Sequence, residues 1–372
     1  MYIVRDDIIL LMNIDPNFPY NTLPFLPPDI NLETPEIWRA CNAANIALAR
    51  LREAGNLIPN QEILISAIPL LEATASSGIE NIFTTSDDLY RALSLPNETI
   101  DPATKEVLNY RSALYTGFHE LKNGKKLGES LLTDVCTTLL GSPVERRSFG
   151  VYIGNRFGRV YTPPDDTKVL EAHLRQLETF IEGGNEPDPL IRLALIHYQF
   201  EAIHPFRDGN GRTGRILNIL YLVSQGLLDI PVLYLSRYII QNKSEYYDHL
   251  RRVTFEGAWG AWILYILKAI KETAEWTYAR IYSIYDLMNK TQEYCKKNLP
   301  GNIYSHELIS MIFLQPYCKP KYLVDSGIGN RQTAMKYLKE LEKIGVLSSR
   351  KISREVVYIN KELYELLKYS ID

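Results

Sequence analysis

The residues that place the most chemistry in the smallest space are His204-Pro205-Phe206-Arg207-Asp208-Gly209-Asn210-Gly211-Arg212-Thr213-Gly214-Arg215. Gly209, Asn210 and Gly211 read as a turn into a helix. Two glycines let the backbone adopt positive φ and approach a ligand closely, and the first N–H groups of the helix have no intrahelical partner. Such a turn receives phosphate oxygens. Arg212 and Arg215 lie in the first helical turn, where the helix dipole disfavours cations, and a bound polyphosphate removes that objection. Asp208 repels phosphate unless a divalent cation bridges them, and Mg2+ suits one carboxylate plus phosphate oxygens. A zinc-type site at His204 and Asp208 lacks an HExxH pattern or a second histidine cluster, and no GxxxxGK[ST] follows a strand.

The elements that must hold these groups are readable on both sides. Asp188-Pro189 starts a helix with Leu193, Ile196, Phe200 and Ile203 as apolar positions, and Pro205 biases His204 out of the helical region, so His204 sits at a helix exit. Ile216, Leu217, Ile219, Leu220, Leu222 and Val223 are apolar nearly all round, which predicts a buried second helix with a rigid first turn. Helical spacing also covers Thr34 to Gly55 and about 61–80, 102–122, 166–182, 243–254 and 258–297. The first thirty residues, with Pro16, Pro19, Pro24, Pro27 and Pro28, read as an extended strap. Residues 151–153 and 160–161 read as a hairpin closed by Pro163-Pro164. From about 300 the pattern becomes three short helices and two strands, 345–350 and 355–359, the order of a winged helix. The expected fold is mainly α. It divides into a strap with helices over 1–100, a core over 101–297 and a winged helix over 300–372.

Bulk properties agree with a soluble globular chain of two or three packed units: 372 residues, 46% hydrophobic and 23% charged. A net charge of −3 from 41 basic and 44 acidic residues gives no global field toward nucleic acid or an anionic membrane. Cys41, Cys136, Cys295 and Cys318 form no CxxC pair and are expected as free thiols in a reducing cytoplasm. Residues 1–15 lack the basic start and cleavage site of a signal peptide, and no apolar stretch reaches membrane-spanning length.

The segment 204–215 resembles the Fic family pattern HPFx[DE]GNGRxxR at every specified position. The resemblance implies an α-helical enzyme that transfers AMP from ATP to Tyr, Ser or Thr hydroxyls of proteins. On it, His204 is the general base and Asp208 holds Mg2+. Gly209 to Gly211 bind phosphates, Arg212 and Arg215 clamp the β and γ groups, Phe206 is core, and the nucleotide-binding set extends over Thr213 and Gly214. GNG fits the AMP-transferring branch, so ATP is the expected donor, while other relatives transfer other groups.

Ser76-Ser77-Gly78-Ile79-Glu80-Asn81 resembles the family's inhibitory motif [ST]xxxE[GN]. The resemblance implies that Glu80 pairs with Arg215 and blocks productive binding of the γ-phosphate; the same carboxylate could orient water to remove AMP from a modified target. The hairpin is either a structural feature or the family's flap, with Val160, Tyr161 and Thr162 as candidate target contacts. Ser244 to Asp248 resembles a stretch near the adenine pocket, and because adjacent helical residues diverge by about 100°, at most one tyrosine touches adenine, with Tyr247 the candidate and packing the alternative.

Residues 301–372 hold 11 Lys/Arg against 8 Asp/Glu. In the helix from about 330 to 343, Ala334, Tyr337, Leu338 and Leu341 form a core stripe, while Arg331, Gln332, Lys336 and Lys339 point outward. This resembles a recognition helix, although such domains also dock proteins, so DNA is a possible partner beside a protein substrate, self-modification and a homodimer. The rival reading is a DNA-binding regulator with the helical core as sensor.

Overall fold

The structure is a computed structural model that describes residues 14–95, 99–148, 150–155, 158–184, 186–352 and 355–368. Most of the opening segment, residues 1–13, lies outside the described residues.

Helices begin where the sequence supplies caps. The Thr34 hydroxyl accepts the Ile37 N–H at 3.3 Å and Pro35 occupies the first position of α1 (Pro35–Ala54). Asp101-Pro102 and Asp188-Pro189 do the same for α4 (Pro102–Lys122) and α7 (Pro189–Ile203). Between α1 and α4 lie α2 (Glu62–Ile79) and α3 (Ser86–Ser94), and α5 (Glu129–Leu140) follows α4. The hairpin pairs β1 (Ile153–Asn155) with β2 (Gly158–Tyr161) in antiparallel register. Then come α6 (Thr167–Glu182), α7, α8 (Asn210–Ser224), α9 (Leu235–Gln241), α10 (Lys243–Glu256) and the 40-residue α11 (Trp259–Asn298). The short helices α3, α5 and α9 were not singled out by periodicity; seven to twelve residues give too few turns for the pattern to register.

The α7–α8 pair is the centre of the molecule. Nearly every residue of both helices is buried, and α2, α4, α5, α6 and α11 pack around them. The Trp262 indole of α11 donates to the Ala194 carbonyl of α7 at 2.8 Å. By length and composition α2 could cross a membrane, but it is a core helix: its apolar sides pack on α4, α8 and α9. The segment placed by sequence in an N-terminal unit thus shares one core with 101–297. The strap runs over the surface beside the hairpin, where the Tyr20 N–H donates to the Thr162 carbonyl at 3.0 Å.

The far end of α11 carries the C-terminal domain: α12 (His306–Phe313), β3 (Tyr317–Cys318), α13 (Pro320–Asp325), α14 (Arg331–Lys343), β4 (Ser348–Ile352), β5 (Glu355–Ile359) and α15 (Lys361–Leu367). Its sheet order β3-β5-β4, with a helix-turn-helix from α13 to α14, is that of a winged helix. Ala334, Leu338 and Leu341 are buried while Arg331, Gln332, Lys336 and Lys339 are exposed, as the stripe predicts; Tyr337 is only half-buried and its hydroxyl donates to the Asn302 carbonyl. All four cysteines are buried free thiols.

Candidate active site

His204 is the left-handed C-cap of α7, with φ 51° and ψ 59°, a conformation that few non-glycine residues adopt. The strain is held in place by Arg147, which the sequence reading did not find. This buried guanidinium donates to the carbonyls of His204 at 2.7 Å, Ile203 at 3.1 Å and Pro164 at 2.6 Å. It thereby satisfies orphan carbonyls at the exit of α7. In the sequence it is one of the pair Arg146-Arg147, and no local pattern distinguishes it.

The imidazole Nδ1 lies 3.3 Å from the Glu201 carbonyl. With Nδ1–H donating there, Nε2 is left as an acceptor. Burial pushes His204 down to about 4, so the ring is neutral near pH 7.

The turn after His204 is closed by Asn210. Its side-chain oxygen accepts the Phe206 N–H and its amide donates to the Phe206 carbonyl, both at 2.8 Å. Asn210 therefore shapes the cradle with its side chain, leaving only its backbone for a ligand. Gly209 has φ 82° and is the N-cap of α8. Gly211 is different from the expectation: it lies within the helix without positive φ, and a Cβ there would come within 2.8 Å of Glu80 Oε1, so a larger residue would push on that carboxylate.

Arg215 is 1% exposed and meets α2. Its Nε donates to Ser76 Oγ at 2.7 Å, and Nη2 donates to the Ser76 carbonyl at 3.0 Å and to Glu80 Oε1 at 2.7 Å. Burial works against charge on Glu80, but Arg215, with Arg212 and Lys243, outweighs it and holds the carboxyl below its ordinary range. Arg212 is held too, by Glu106 of α4 and by Asp208.

One turn and two turns before Glu80 on the same face of α2 stand Ser76 and Glu72, a spacing of four residues. Glu72 is fully buried, accepting the Ser236 N–H at 2.8 Å, the Ser236 hydroxyl at 2.5 Å and the Tyr110 hydroxyl at 3.2 Å. It ties α2 to α9 and α4. Sequence reasoning missed it, although a glutamate four residues before Ser76 in an apolar helix was a signal, because buried carboxylates need partners.

These groups surround a cavity of about 210 Å3. Glu80, His204, Gly211 and Arg215 form its polar part, and Ile153, Val160, Tyr198, Leu250 and Phe255 its apolar part.

Three family models match the chain: the Fic/DOC family N-terminal model over residues 38–119, the Fic/DOC family model over 125–222, and the C-terminal domain of SoFic-like protein adenylyltransferases over 287–363. The chain is built of Fic/DOC family domains. It is 24% identical over 269 residues to a probable protein adenylyltransferase of Aquifex aeolicus, covering 70% of this chain and 76% of that one. It is 34% identical over 116 residues to the protein adenylyltransferase fic-1 of Caenorhabditis elegans, covering 29% of this chain but only 20% of that one. In fold it is similar to a Fic family protein of Desulfovibrio desulfuricans, with TM-score 0.56, 21% identity and coverage of 88% and 96%. A Fic domain-containing signaling protein of Bacteroides thetaiotaomicron gives TM-score 0.53, 18% identity and coverage of 66% and 97%.

Within this Fic core the remaining candidates separate. Tyr246 and Tyr247 both line the cavity, but Tyr246 is buried with its hydroxyl 2.9 Å from His197 Nε2 while Tyr247 is 44% exposed, so Tyr247 is the tyrosine with a free face. Val160 and Tyr161 also line the cavity. Tyr161 is buried, its hydroxyl donating to the Ala202 carbonyl, and Thr162 is engaged by the strap through its carbonyl and through a 2.5 Å bond from its hydroxyl to the Pro16 carbonyl. Thr213 is fully buried and Gly214 faces α7; neither lines the cavity. Asn81, at φ 63°, accepts from Lys243 at 3.1 Å.

Asp208 is exposed beside Gly209, whose N–H it accepts at 2.6 Å. Among the described residues no group of three or more His, Cys, Asp or Glu could hold a metal ion. A single exposed carboxylate next to the N–H groups that open α8 fits an ion whose coordination a phosphate ligand would complete.

Proposed function

We propose that this chain is a protein adenylyltransferase that moves AMP from ATP to a Tyr, Ser or Thr hydroxyl of a target protein, is held at rest by Glu80, and releases pyrophosphate. The observation that carries the reading is the meeting of a neutral, tautomer-fixed His204, the start of α8 and Arg215 in one cavity, with Glu80 on Arg215 where a phosphate belongs. The names of its relatives support the class of reaction.

His204 Nε2 takes the proton of the target hydroxyl as the hydroxyl oxygen bonds to the α-phosphorus. The bond from that phosphorus to the bridging oxygen breaks, and its electron pair leaves on pyrophosphate. The N–H groups that open α8 and the guanidinium groups of Arg212 and Arg215 neutralise the charge that develops. Asp208 would hold Mg2+, which would supply further neutralisation of the phosphates. Phosphate charge beside His204 raises its proton affinity from the resting value toward that of an effective base. Tyr247 and the apolar part of the cavity receive the base of the nucleotide.

The test is to incubate wild type, Glu80→Gly, His204→Ala and the double variant with α-labelled ATP and Mg2+, reading label transfer and intact mass. A gain of one AMP in Glu80→Gly that vanishes in the double variant is expected. No labelling of any variant or of lysate proteins, together with DNA binding by the full chain, would replace this reading with that of a DNA-binding regulator. A second activity, water-driven removal of AMP, is favoured by the Glu80 carboxylate lining the same cavity; it is checked by release of AMP from a labelled target by wild type and not by Glu80→Gly.

A further inference from the structure

Arg215 is a buried cation, and of its three bonds only the one to Glu80 brings a negative charge. Once Glu80 is withdrawn, two neutral oxygens of Ser76 at most remain, and an unpaired buried charge is strongly unfavourable. Some other carboxylate must answer. Glu72 is committed, with both oxygens bonded to Ser236 and Tyr110.

Glu201 is not committed. It lies on α7 three residues before His204 and lines the same cavity. Its Oε1 is buried and has no hydrogen-bond partner. Gly214 of α8 makes the room for it, since a Cβ there would collide with that oxygen. A buried polar atom without a partner is uncommon and asks for an explanation.

We propose that Glu201 is the carboxylate that takes over Arg215 when Glu80 is withdrawn, and that the γ-phosphate of ATP has to displace it; this rests on the adenylyl-transfer reading of the cavity. Glu201 is then a positioning residue. It keeps the clamp arginine paired in the empty, released site and hands it to the nucleotide.

The surroundings agree. Burial pushes Glu201 up to about 7, Arg215 of α8 pulls it down, and Glu80 pushes it up. Tyr246 and Tyr247 of α10 and His204 of its own helix also face the cavity. Losing Glu80 removes the charge that raises Glu201 and frees the cation that lowers it, so both changes favour the ionised form. A γ-phosphate on Arg215 restores a negative charge and returns the proton to Glu201.

The experiment is calorimetric titration of the full chain with Mg2+-ATP and Mg2+-ADP, comparing Glu80→Gly with Glu80→Gly/Glu201→Gln. At pH 8 the double variant binds ATP about tenfold more tightly, and the gain shrinks as acid protonates the carboxyl of the single variant. ADP, lacking the γ-phosphate, binds both variants alike. Equal ATP affinities, weaker ATP binding by the double variant, or an equal gain for ADP would each overturn the proposal. A second measurement needs no Glu201 variant: proton uptake by Glu80→Gly at pH 7, read from titrations in buffers of different ionisation enthalpy. More protons are taken up with ATP than with ADP, and no difference overturns the inference. Labelling by Glu80→Gly in the same preparations separates the two readings, because labelling without these effects sinks only the role of Glu201, whereas no ATP binding at all sinks both.

Discussion

The two ends of α11 support opposite uses of charge. Near its start, α11 backs a core in which Glu72, Arg192, Arg215 and Arg147 are buried and must satisfy one another or the backbone. Near its end it carries a domain in which Arg331, Lys336 and Lys339 stand in water on the exposed face of α14. Buried charge costs several kcal/mol unless it is paired or used, so its presence in the core constrains what the site does. Exposed charge costs little and constrains little. The core therefore announces a chemistry, and the C-terminal domain announces a surface.

The largest effect is expected from removing the proposed base. His204→Ala in the Glu80→Gly background should lower the labelling rate by about 10²- to 10⁴-fold, the usual contribution of a positioned general base. Its melting temperature should change little, because His204 faces the cavity rather than the core. A loss below tenfold would mean that the buried polar groups bind nucleotide without performing this transfer.

Next in size is Arg147→Ala, which strands three carbonyls that the guanidinium now satisfies. A loss of about 2–4 kcal/mol in unfolding free energy is expected from denaturant titration. The corresponding change at exposed Lys336 should stay within about 0.5 kcal/mol. Equal costs at the two positions would erase the contrast between the regions.

Arg147 also shows where sequence reading stops. The motif 204–215 was legible because a turn, a cradle and its charges lie within one local segment. Glu80 was legible through a motif whose partner, Arg215, stands 135 residues away. Arg147 reaches the same site from an irregular segment, and Glu72 and Glu106 from helices whose periodicity spoke only of packing. Their partners are set by tertiary approach, which leaves no local pattern. The longer helices and the winged-helix order followed from caps, prolines and periodicity, while α3, α5 and α9 were too short for the same signal.

The pH dependence sharpens the electrostatic side of the comparison. A general base works in its neutral form, which exists above its pKa and is lost as pH falls through it. Burial holds free His204 at about 4, so kcat/KM of Glu80→Gly/Glu201→Gln, in which the neighbouring carboxylate no longer titrates, should vary less than about twofold between pH 8 and 5.5. An imidazole with the ordinary value of about 6.5 would lose roughly 90% of its activity at 5.5. A profile falling with a midpoint near 6.5 would show that the cavity does not desolvate the ring.

The smallest expected effect joins the two regions. The C-terminal domain packs on α3, where Asp87 accepts from the Tyr317 hydroxyl and from Arg350 at 3.3 Å, and the Tyr322 hydroxyl reaches the Leu93 and Ser94 carbonyls at 3.5 Å. Only residues 80–85 separate α3 from the end of α2, and Glu80 is the first of them. A loosened α3 frees the tether that keeps Glu80 against Arg215. Asp87→Ala, a partly exposed change with a stability cost of about 1 kcal/mol or less, should raise basal labelling two- to fivefold in the chain that retains Glu80. It should do nothing in Glu80→Gly, where the carboxylate on Arg215 is already gone. An equal rise in both backgrounds would place the effect on the catalytic site itself, and no rise in either would leave the exposed domain without influence on the buried one.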